Sequence, residues 1–245
     1  MTSPLNPSSL TTPVISVAGV AKSYRRGGQE TPVLQSIDLA VAPGECVFLA
    51  GPSGSGKTTL LSILGCILTP DAGSVKLLGD EVSTLSNRQR TLLRRDRIGF
   101  VFQKFHLIRG LTALDNVCVP LQLRGENMRL ARRRGMELLG AVGLADKASS
   151  YPKNLSTGQC QRVALARALA VDPDIILADE PTASLDAASG REAMGLLRRL
   201  TTEFHKTAIV VTHDPRIFHF ADRVCHMDSG RLIHEYAPEA LEVDG

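Results

Sequence analysis

Short runs of apolar residues, separated by polar or glycine-rich segments, recur along the chain. Uninterrupted apolar runs are typical of strands buried on both faces of a parallel sheet, whereas alternation predicts a strand with one solvent-facing side. Uninterrupted runs occupy residues 46–50, 98–102, 175–178 and 207–212, weaker alternation marks residues 14–20 and 33–41, and a further short strand is expected at 74–78. The pattern predicts a mostly parallel central sheet preceded by a small antiparallel β lobe.

Longer amphipathic stretches between these runs predict helices. They occupy residues 59–68, 86–97, 112–123, 128–142 and 160–171. No strand is predicted between the third and fourth helices, so an inserted helical lobe is expected at about residues 104–158. Its basic stretch, residues 124–134, is interpreted as a solvated face. Residues 223–235 predict a hairpin that turns at 228–230. The fold class is therefore α/β, with a β lobe and a helical lobe added to the core.

Length and composition narrow the class of protein. A chain of 245 residues can bury a core as one large domain or two lobes. A hydrophobic content of 43% and a mean hydropathy of +0.02 are ordinary for a soluble globular protein. The net charge of +3 is too small to indicate nucleic-acid binding. No apolar run approaches the roughly 20 residues of a transmembrane helix.

The N-terminal segment and the cysteines bear on processing and location. Residues 1–13 are rich in Ser, Thr and Pro and lack the features of a secretory signal, so we expect a disordered tail followed by one domain over residues 14–245. The five cysteines are odd in number and form no C-x-x-C pair. Neither a disulfide framework nor a zinc site is indicated, and a reducing cytoplasm is expected.

A glycine-rich segment follows the apolar run at residues 46–50 and opens the first predicted helix. It has the pattern G-x-x-x-x-G-K-T, in which glycines allow backbone N–H groups to surround phosphate oxygens. The helix N-terminus adds partial positive charge, and the lysine and threonine of such a loop serve phosphate and Mg²⁺. A plain glycine turn between core elements is the alternative, and the strand–loop–helix context argues against it. The segment consists of Gly51, Pro52, Ser53, Gly54, Ser55, Gly56, Lys57 and Thr58, followed by Thr59.

Polar residues end the other apolar runs. Gln103 follows residues 98–102, the pair Asp179 and Glu180 follows residues 175–178, and His213 follows residues 207–212. The carboxyl ends of parallel strands are where open α/β sheets bind ligands. Adjacent acids at the end of a buried strand are costly unless they hold a cation or a water.

Two further positions are open to a functional or a structural interpretation. Tyr24 could stack on a base or be a buried core tyrosine. Ser156 with Gln159 three positions later is a capping box and predicts a helix N-terminus, which by itself could be an ordinary helix cap.

Taken in order, these motifs resemble those of the ATP-binding cassette (ABC) transporter ATPases. The order is P-loop, strand-end Gln, Leu-Ser-x-Gly-Gln, Asp-Glu after an apolar strand, Ser-Leu-Asp and strand-end His. The likeness covers residues 14 to about 235. The Leu-Ser-x-Gly-Gln signature is specific in this setting because other P-loop ATPases lack it.

The resemblance implies a site for ATP and Mg²⁺. Tyr24 is similar to the aromatic residue that stacks on adenine, and residues 51–59 to the phosphate-binding Walker A segment, in which Lys57 reaches the β and γ phosphates. Thr58, Gln103 and Asp179 correspond to the groups around Mg²⁺, with Gln103 also near the attacking water. Glu180 corresponds to the general base and His213 to the residue on the γ-phosphate.

The resemblance also implies that a second copy completes the site. Ser156, Gly158 and Gln159 correspond to the signature that binds the γ-phosphate held by the other subunit, and residues 184–186 to a loop that crosses the dimer. A head-to-tail dimer with two ATP molecules is therefore expected. Thr157 departs from the commoner Gly at its position. Because a β-branched residue disfavours positive φ, the geometry of the signature is in question there.

A finer resemblance concerns the branch of the family. Residues 62–66, 102–107 and 212–217 are similar to the macrolide-efflux and lipoprotein-release subgroup and to cyanobacterial exporter ATPases of the heterocyst glycolipid type. This implies a separate membrane permease, a possible periplasmic adaptor, export of a hydrophobic or lipid-like substrate, and a peripheral position on the cytoplasmic face of the inner membrane. An amino-acid-type importer is the alternative. ABC ATPases of DNA repair and of translation fit less well, because they carry a long coiled coil or two cassettes.

The segment after Gln103 is apolar for the start of a surface lobe. In the resembling family, the cleft between the core and the helical lobe receives a short permease helix. We expect Phe105 and Leu107 to present an exposed apolar patch to that helix. The alternative is that both side chains pack within the helical lobe.

Overall fold

The computed structural model describes residues 12–238, so the expected tail at residues 1–13 lies outside it apart from residues 12 and 13, as do residues 239–245. Residues 12–238 contain ten strands and six α-helices. The strands are β1 Ile15–Arg26, β2 Gln29–Val41, β3 Cys46–Ala50, β4 Ala72–Leu77, β5 Asp80–Glu81, β6 Ile98–Phe102, β7 Ile175–Asp179, β8 Thr207–Val211, β9 Arg223–Asp228 and β10 Arg231–Tyr236. The helices are α1 Lys57–Leu64, α2 Asn87–Arg97, α3 Ala113–Leu123, α4 Met128–Ala141, α5 Thr157–Leu169 and α6 Ala187–Glu203.

The central sheet has six strands in the order β10-β9-β3-β8-β7-β6. All neighbours are parallel except β10, which pairs antiparallel with β9 at one edge. The predicted α/β class with a mostly parallel sheet is confirmed. Within residues 12–238, no helix combines the length and the apolarity needed to cross a bilayer.

The uninterrupted apolar runs follow from the position of the sheet between two hydrophobic clusters. Side chains alternate across a strand, so neighbouring residues of β3 enter different clusters. Phe48 packs in the cluster shared with the helical lobe, whereas Val47 and Leu49 pack in the cluster shared with α1 and the β lobe. All five residues of β3 are buried. Both faces of the strand must therefore be apolar.

The second sheet forms the predicted β lobe. Its order is β2-β1-β4-β5, and every pairing in it is antiparallel. The apolar face of β1 carries Ile15, Val17 and Val20, which enter the same cluster as Leu60 and Leu64 of α1. The β lobe is thus fixed against the helix that follows the glycine-rich loop.

Helices α3 and α4 pack against each other and against α5. Gly135 of α4 permits the close approach, because a Cβ at this position would lie 2.7 Å from Leu114 Cδ1. The buried Asn116 amide donates to the carbonyls of Ile108 (3.1 Å) and Thr112 (2.9 Å), and its oxygen accepts from Ile108 N–H (2.7 Å). This side chain holds the segment that enters α3. The boundaries of the helical lobe at about residues 104–158 remain a prediction.

Several predicted boundaries are wrong for identifiable reasons. Helix α1 begins at Lys57 and ends at Leu64, not residues 59–68, because the chain turns at Gly65 and Cys66 has a left-handed φ of 55°. Strand β4 begins at Ala72 rather than at residue 74, because Ala72 pairs with Ala21 of β1. Helix α5 begins at Thr157 rather than at residue 160, directly after its Ser156 cap.

Helix α6 was not predicted. Asp186 caps it by accepting hydrogen bonds from the N–H groups of Ala188 and Ser189, both at 3.0 Å. Its buried side chains include Ala193, Met194, Leu197 and Leu200, a spacing that marks one helical face. The capping aspartate and this spacing were the signals that could have identified it.

Candidate functional site

The polar residues that end the apolar runs lie at one edge of the central sheet because the strands are in register. Phe102 of β6 is paired with Asp179 of β7, which is paired with Val211 of β8, which is paired with Leu49 of β3. The residues that follow these positions therefore leave the sheet side by side. The site is an outcome of strand order as much as of the motifs themselves.

The glycine-rich loop connects β3 to α1 through backbone conformations that L-residues avoid. Gly51 has φ 139°, and a Cβ there would lie 2.0 Å from the Met227 carbonyl oxygen. Gly56 has φ 100°, and a Cβ there would lie 2.7 Å from the Val33 carbonyl oxygen. Gly54 also has a left-handed φ, of 82°. Glycine is required here both for conformation and for the close approach of β2 and β9.

Lys57 is the first residue of α1, and its side chain folds back into the loop. Its Nζ donates to the carbonyls of Gly51 (2.8 Å) and Pro52 (2.7 Å), and it lies 3.3 Å from Ser55 Oγ. The residue is only 6% exposed. Burial lowers the pKa of the Lys57 ammonium, although Glu180 and Asp179 act in the opposite direction. The ammonium is a partly desolvated charge beside an anion-binding loop, an arrangement that suits a phosphate group.

Thr58 and Asp179 bring two oxygen groups together across the loop and the sheet. Thr58 Oγ1 donates to Asp179 Oδ1 at 3.2 Å. Burial raises the pKa of Asp179, and Glu180 adds to that rise, whereas the Thr58 hydrogen bond and Lys57 lower it. A hydroxyl and a carboxylate are hard oxygen ligands of the type that Mg²⁺ uses, together with waters and phosphate oxygens. The residues present therefore fit a magnesium ion that accompanies a phosphate ligand.

Glu180 is held in a strained conformation next to His213. Its φ is 47°, in the left-handed region that favours glycine. Its N–H donates to the Val211 carbonyl at 2.9 Å, which fixes the residue at the end of the sheet. One carboxylate oxygen lies 2.8 Å from His213 Nδ1, and the side chains are 17% and 66% exposed, respectively. Strain of this kind is found where a side chain must point to a particular place.

These groups line one open cavity of about 730 Å³. Asp179 and Gly51 do not line the cavity themselves, but each is hydrogen-bonded to a residue that does. Asp179 accepts from Thr58, and the Gly51 carbonyl accepts from Lys57. Tyr24 lies at the rim and is 43% exposed, so it is not a buried core tyrosine. Val33 is a lining residue that the sequence did not indicate, and its position at the start of the returning strand was the available signal. The lining residues are Tyr24, Val33, Pro52, Ser53, Gly54, Ser55, Gly56, Lys57, Thr58, Thr59, Gln103, Glu180 and His213.

The signature residues Ser156, Gly158 and Gln159 do not line this cavity. They form the N-terminus of α5, where Ser156 Oγ accepts from Gln159 N–H (3.2 Å) and Gln159 Oε1 accepts from Ser156 N–H (2.9 Å). The predicted capping box is confirmed. Ser156 and Thr157 are exposed. The end of α5 therefore presents N–H groups and hydroxyls to solvent.

The concern about Thr157 has no structural basis. Thr157 is the first residue of α5 and is not among the residues with positive φ. A β-branched residue adopts this helical conformation without strain. The Thr157 hydroxyl, which a glycine would lack, is an additional polar group at the exposed end of the helix.

A second cavity of about 460 Å³ lies between the core and the helical lobe. Its apolar lining includes Phe100, Phe102, Pro120 and Leu123, and its basic lining comes from Arg94, Arg95 and Arg167. Leu123 is 67% exposed.

The apolar patch expected after Gln103 is only partly present. Phe105 is half-buried, and Leu107 packs against the hydrophobic cluster of the helical lobe, as the alternative held. Neither residue lines the second cavity. The exposed apolar side chains include Ile108 of the same segment, at 48%, and Leu123 of α3, which the sequence pattern did not single out.

The family model described as "ABC transporter" matches residues 34–183, more than half of the chain. The chain belongs to the ABC transporter family. The family resemblance derived from the motifs is confirmed, and the chain is an ABC-type ATP-binding and ATP-hydrolysing cassette.

Related ABC proteins include macrolide exporters. The chain is 45% identical over 232 residues to "Macrolide export ATP-binding/permease protein MacB 1/2" of Paracoccus denitrificans, which covers 95% of this chain and 35% of that protein. It is 43% identical over 230 residues to the MacB protein of Wolinella succinogenes, covering 94% of this chain and 36% of that one. The chain thus spans about a third of the length of these curated relatives.

Solved ABC cassettes have the same fold. A dimeric post-hydrolysis structure of the ATP-binding cassette MJ0796, bound to ADP and Pi, has a TM-score of 0.85 and 41% identity. The match covers 91% of this chain and 98% of the MJ0796 chain. The predicted ABC ATPase fold is confirmed.

Proposed function

We propose that this cassette hydrolyses Mg²⁺-ATP between two copies of itself and uses the energy to drive a membrane permease, in the direction of export. The observation that carries the proposal is the convergence of Lys57, Thr58, Gln103, Glu180 and His213 on one cavity. Phosphoryl transfer to water requires a cation, a pair of oxygen ligands for a metal ion, and a carboxylate that positions the attacking water.

The phosphates would lie over the glycine-rich loop and the N-terminus of α1. The backbone N–H groups of this loop and the helix dipole favour a polyanion. Lys57 Nζ, now bonded to two loop carbonyls, is a charged donor that lines the same cavity. Phosphate charge would stabilise the ammonium that burial destabilises. Tyr24, at the rim of the same cavity, provides a ring face for the adenine.

The metal would be held by Thr58 and Asp179, with Gln103 nearby. Bound there, Mg²⁺ would neutralise charge on the β and γ phosphates. The fit rests on the Thr58 Oγ1–Asp179 Oδ1 contact and on the burial of the Asp179 carboxyl group, whose negative charge a bound cation would offset.

Glu180 would accept the proton of the attacking water. Its backbone is fixed by the Val211 carbonyl and its carboxylate by His213, so its position relative to the loop is set before the nucleotide binds. His213, which is exposed at the cavity, would contact the γ-phosphate. The Glu180–His213 contact links the base to the group that detects the phosphate.

A second copy would complete the site. The cavity is open, and the chain's own Ser156, Gly158 and Gln159 do not line it but lie at the N-terminus of α5. The solved cassette MJ0796 is described as dimeric. In a head-to-tail dimer, the end of α5 of one copy would face the γ-phosphate held by the other.

The permease would dock in the cavity between the core and the helical lobe, where apolar side chains are exposed beside arginines. We propose a separate permease chain, a position on the cytoplasmic face of the inner membrane, and export of a hydrophobic or lipid-like substrate with the help of a periplasmic adaptor. The names of the MacB relatives support export over amino-acid import.

The test is the variant Glu180→Gln. The amide preserves shape and can still contact His213, but it cannot accept a proton. A positioned base is typically worth about 10²–10⁴-fold, so turnover should fall by that factor while ATP affinity is kept. The variant should also accumulate as an ATP-bound dimer in gel filtration. Turnover near the wild-type rate would place the base elsewhere.

A further inference from the structure

Three side-chain contacts hold the backbone that follows β6. Arg167 donates one guanidinium nitrogen to the Phe105 carbonyl and the other to the His106 carbonyl, both at 2.6 Å. Ser184 Oγ donates to the Gln103 carbonyl at 3.1 Å. The four-residue segment 103–106, which we call the glutamine segment, is thus tied to two distant parts of the chain.

The conformation of this segment needs such support. Phe105 and His106 have φ values of 57° and 47°, so two consecutive side-chain-bearing residues are in the left-handed region. Such residues persist only where the surroundings hold them. Local support comes from two turn hydrogen bonds, from Phe105 N–H to the Phe102 carbonyl (3.0 Å) and from His106 N–H to the Lys104 carbonyl (2.5 Å). The His106 ring also packs 4.8 Å from that of Phe102.

The hydrogen bonds of Arg167 fit this task, although its side chain also lines the cavity between the core and the helical lobe. Arg167 is half-buried on α5, and burial lowers the pKa of its guanidinium. It takes part in no ion pair with any acidic side chain in the part of the chain that the structure describes, and its hydrogen bonds are the two to the glutamine segment. A planar fork with two parallel donors suits two successive carbonyls, which a lysine ammonium cannot bind in the same way.

The two ties lead to the two elements proposed to act on the partner's nucleotide. Arg167 is on α5, whose first turn carries Ser156 and Gly158. Ser184 precedes Asp186, which caps α6. Gly158 and Ser189 are themselves in contact range, because a Cβ on Gly158 would lie 3.6 Å from the Ser189 side chain. The glutamine segment, α5 and the start of α6 therefore form one connected unit.

We propose that Arg167 is a positioning residue that couples the two ATP sites of the dimer. When Gln103 adjusts to a γ-phosphate and its magnesium, the guanidinium transmits the movement of the glutamine segment to α5. The end of α5 then moves with it toward the nucleotide of the other copy. The inference rests on the proposed head-to-tail dimer and adds a residue that touches neither nucleotide.

Arg167→Met tests the proposal, because methionine keeps much of the apolar stem and removes both donors. ADP affinity reports the chain's own site, and we expect it to stay within about twofold of wild type, because Arg167 does not line the nucleotide cavity. The Hill coefficient for ATP hydrolysis, which can reach the number of coupled sites, should fall toward one. The turnover number should fall at least severalfold. In a Glu180→Gln background, the ATP concentration needed for dimerisation should rise by about 5- to 150-fold, the range typical of coupling between binding sites.

Arg167→Lys and Arg133→Met complete the series. Lysine can reach one of the two carbonyls, so an intermediate Hill coefficient and turnover are expected. Arg133 is an exposed arginine of α4 that pairs with Glu137 one helical turn away, and its loss should change nothing. If Arg167→Met does not fold, the lysine variant alone must show the loss of cooperativity with ADP affinity unchanged.

Three results separate the possibilities. A Hill coefficient and turnover equal to wild type in both Arg167 variants would overturn the inference. A loss of turnover that is matched by a loss of ADP affinity and of thermal stability would also overturn it, because Arg167 would then be only a structural residue. If the wild-type chain neither hydrolyses ATP nor dimerises with it, the proposed function itself is wrong.

Discussion

Removal of the Lys57 ammonium should weaken ATP binding more than removal of the Tyr24 ring. In Lys57→Met, the side chain keeps most of its length and loses the charge. Lys57 Nζ now makes two short hydrogen bonds, at 2.7 and 2.8 Å, to carbonyl groups of the glycine-rich loop. We expect these donors to face phosphate oxygens when ATP is bound.

The expected loss of ATP affinity in Lys57→Met follows from the number of hydrogen bonds that the ammonium makes. Hydrogen bonds that involve a charged group contribute about 1.5–3 kcal/mol each, so two contacts to phosphate are worth about 3–6 kcal/mol. At about 1.4 kcal/mol per tenfold, ATP affinity should fall on the order of 10²- to 10⁴-fold. Tyr24→Ala removes one stacking contact, worth about 1–3 kcal/mol, and should weaken binding by roughly tenfold to a hundredfold.

Titration calorimetry with Mg²⁺-ATP measures both affinities. Lys76→Met is the matched control, because Lys76 lies exposed on β4 and should bind ATP as wild type does. Lys57→Met also leaves the Gly51 and Pro52 carbonyls without this donor, so its urea unfolding should be measured in parallel. Equal affinity in the folded Lys57→Met and Tyr24→Ala proteins would refute the reasoning, and so would affinity near wild type in Lys57→Met.

Two other substitutions test the loop and the docking surface. Gly51→Ala should lower the free energy of unfolding by more than about 2 kcal/mol, because a Cβ would lie 2.0 Å from the Met227 oxygen at a φ of 139°. In urea unfolding, Gly140→Ala is its control and should stabilise by about 0.5–1 kcal/mol, since a Cβ on this helical glycine meets nothing within 4 Å. A mild effect at Gly51 would mean that the loop relaxes easily. Leu123→Asp should leave ATP binding and stability unchanged and reduce permease-stimulated ATPase activity in nanodiscs at least severalfold, whereas Ile233→Asp, exposed on β10, should not. Full stimulation of the Leu123 variant would place the permease elsewhere.

The sequence was most informative where the determinants are local. Continuous apolar runs identified β3 and β6 with their observed bounds, because strands between two hydrophobic clusters need apolar side chains on both faces. The glycine pattern identified the loop, because the backbone there requires left-handed φ values. The capping box at Ser156 identified the start of a helix, since cap and first turn are only three residues apart.

The ends of some elements and one whole helix were harder to predict from the sequence. Strand β4 begins at Ala72 rather than at the predicted residue 74, because pairing with β1 extends it. Helix α6 was missed although its capping aspartate and apolar spacing were present. Its formation depends on burial of one face against the core, and local propensity is a weak guide to that.

Only the tertiary structure could bring the site together. The motifs gave the candidate residues, but the register of β6, β7, β8 and β3 decided that Gln103, Glu180 and His213 meet the glycine-rich loop. The same is true of the contacts from Arg167 to residues 61 and 62 positions away. Local patterns record what each segment needs for its own backbone and solvent exposure. Contacts between distant segments depend on strand order and helix packing, which no single segment of the sequence contains.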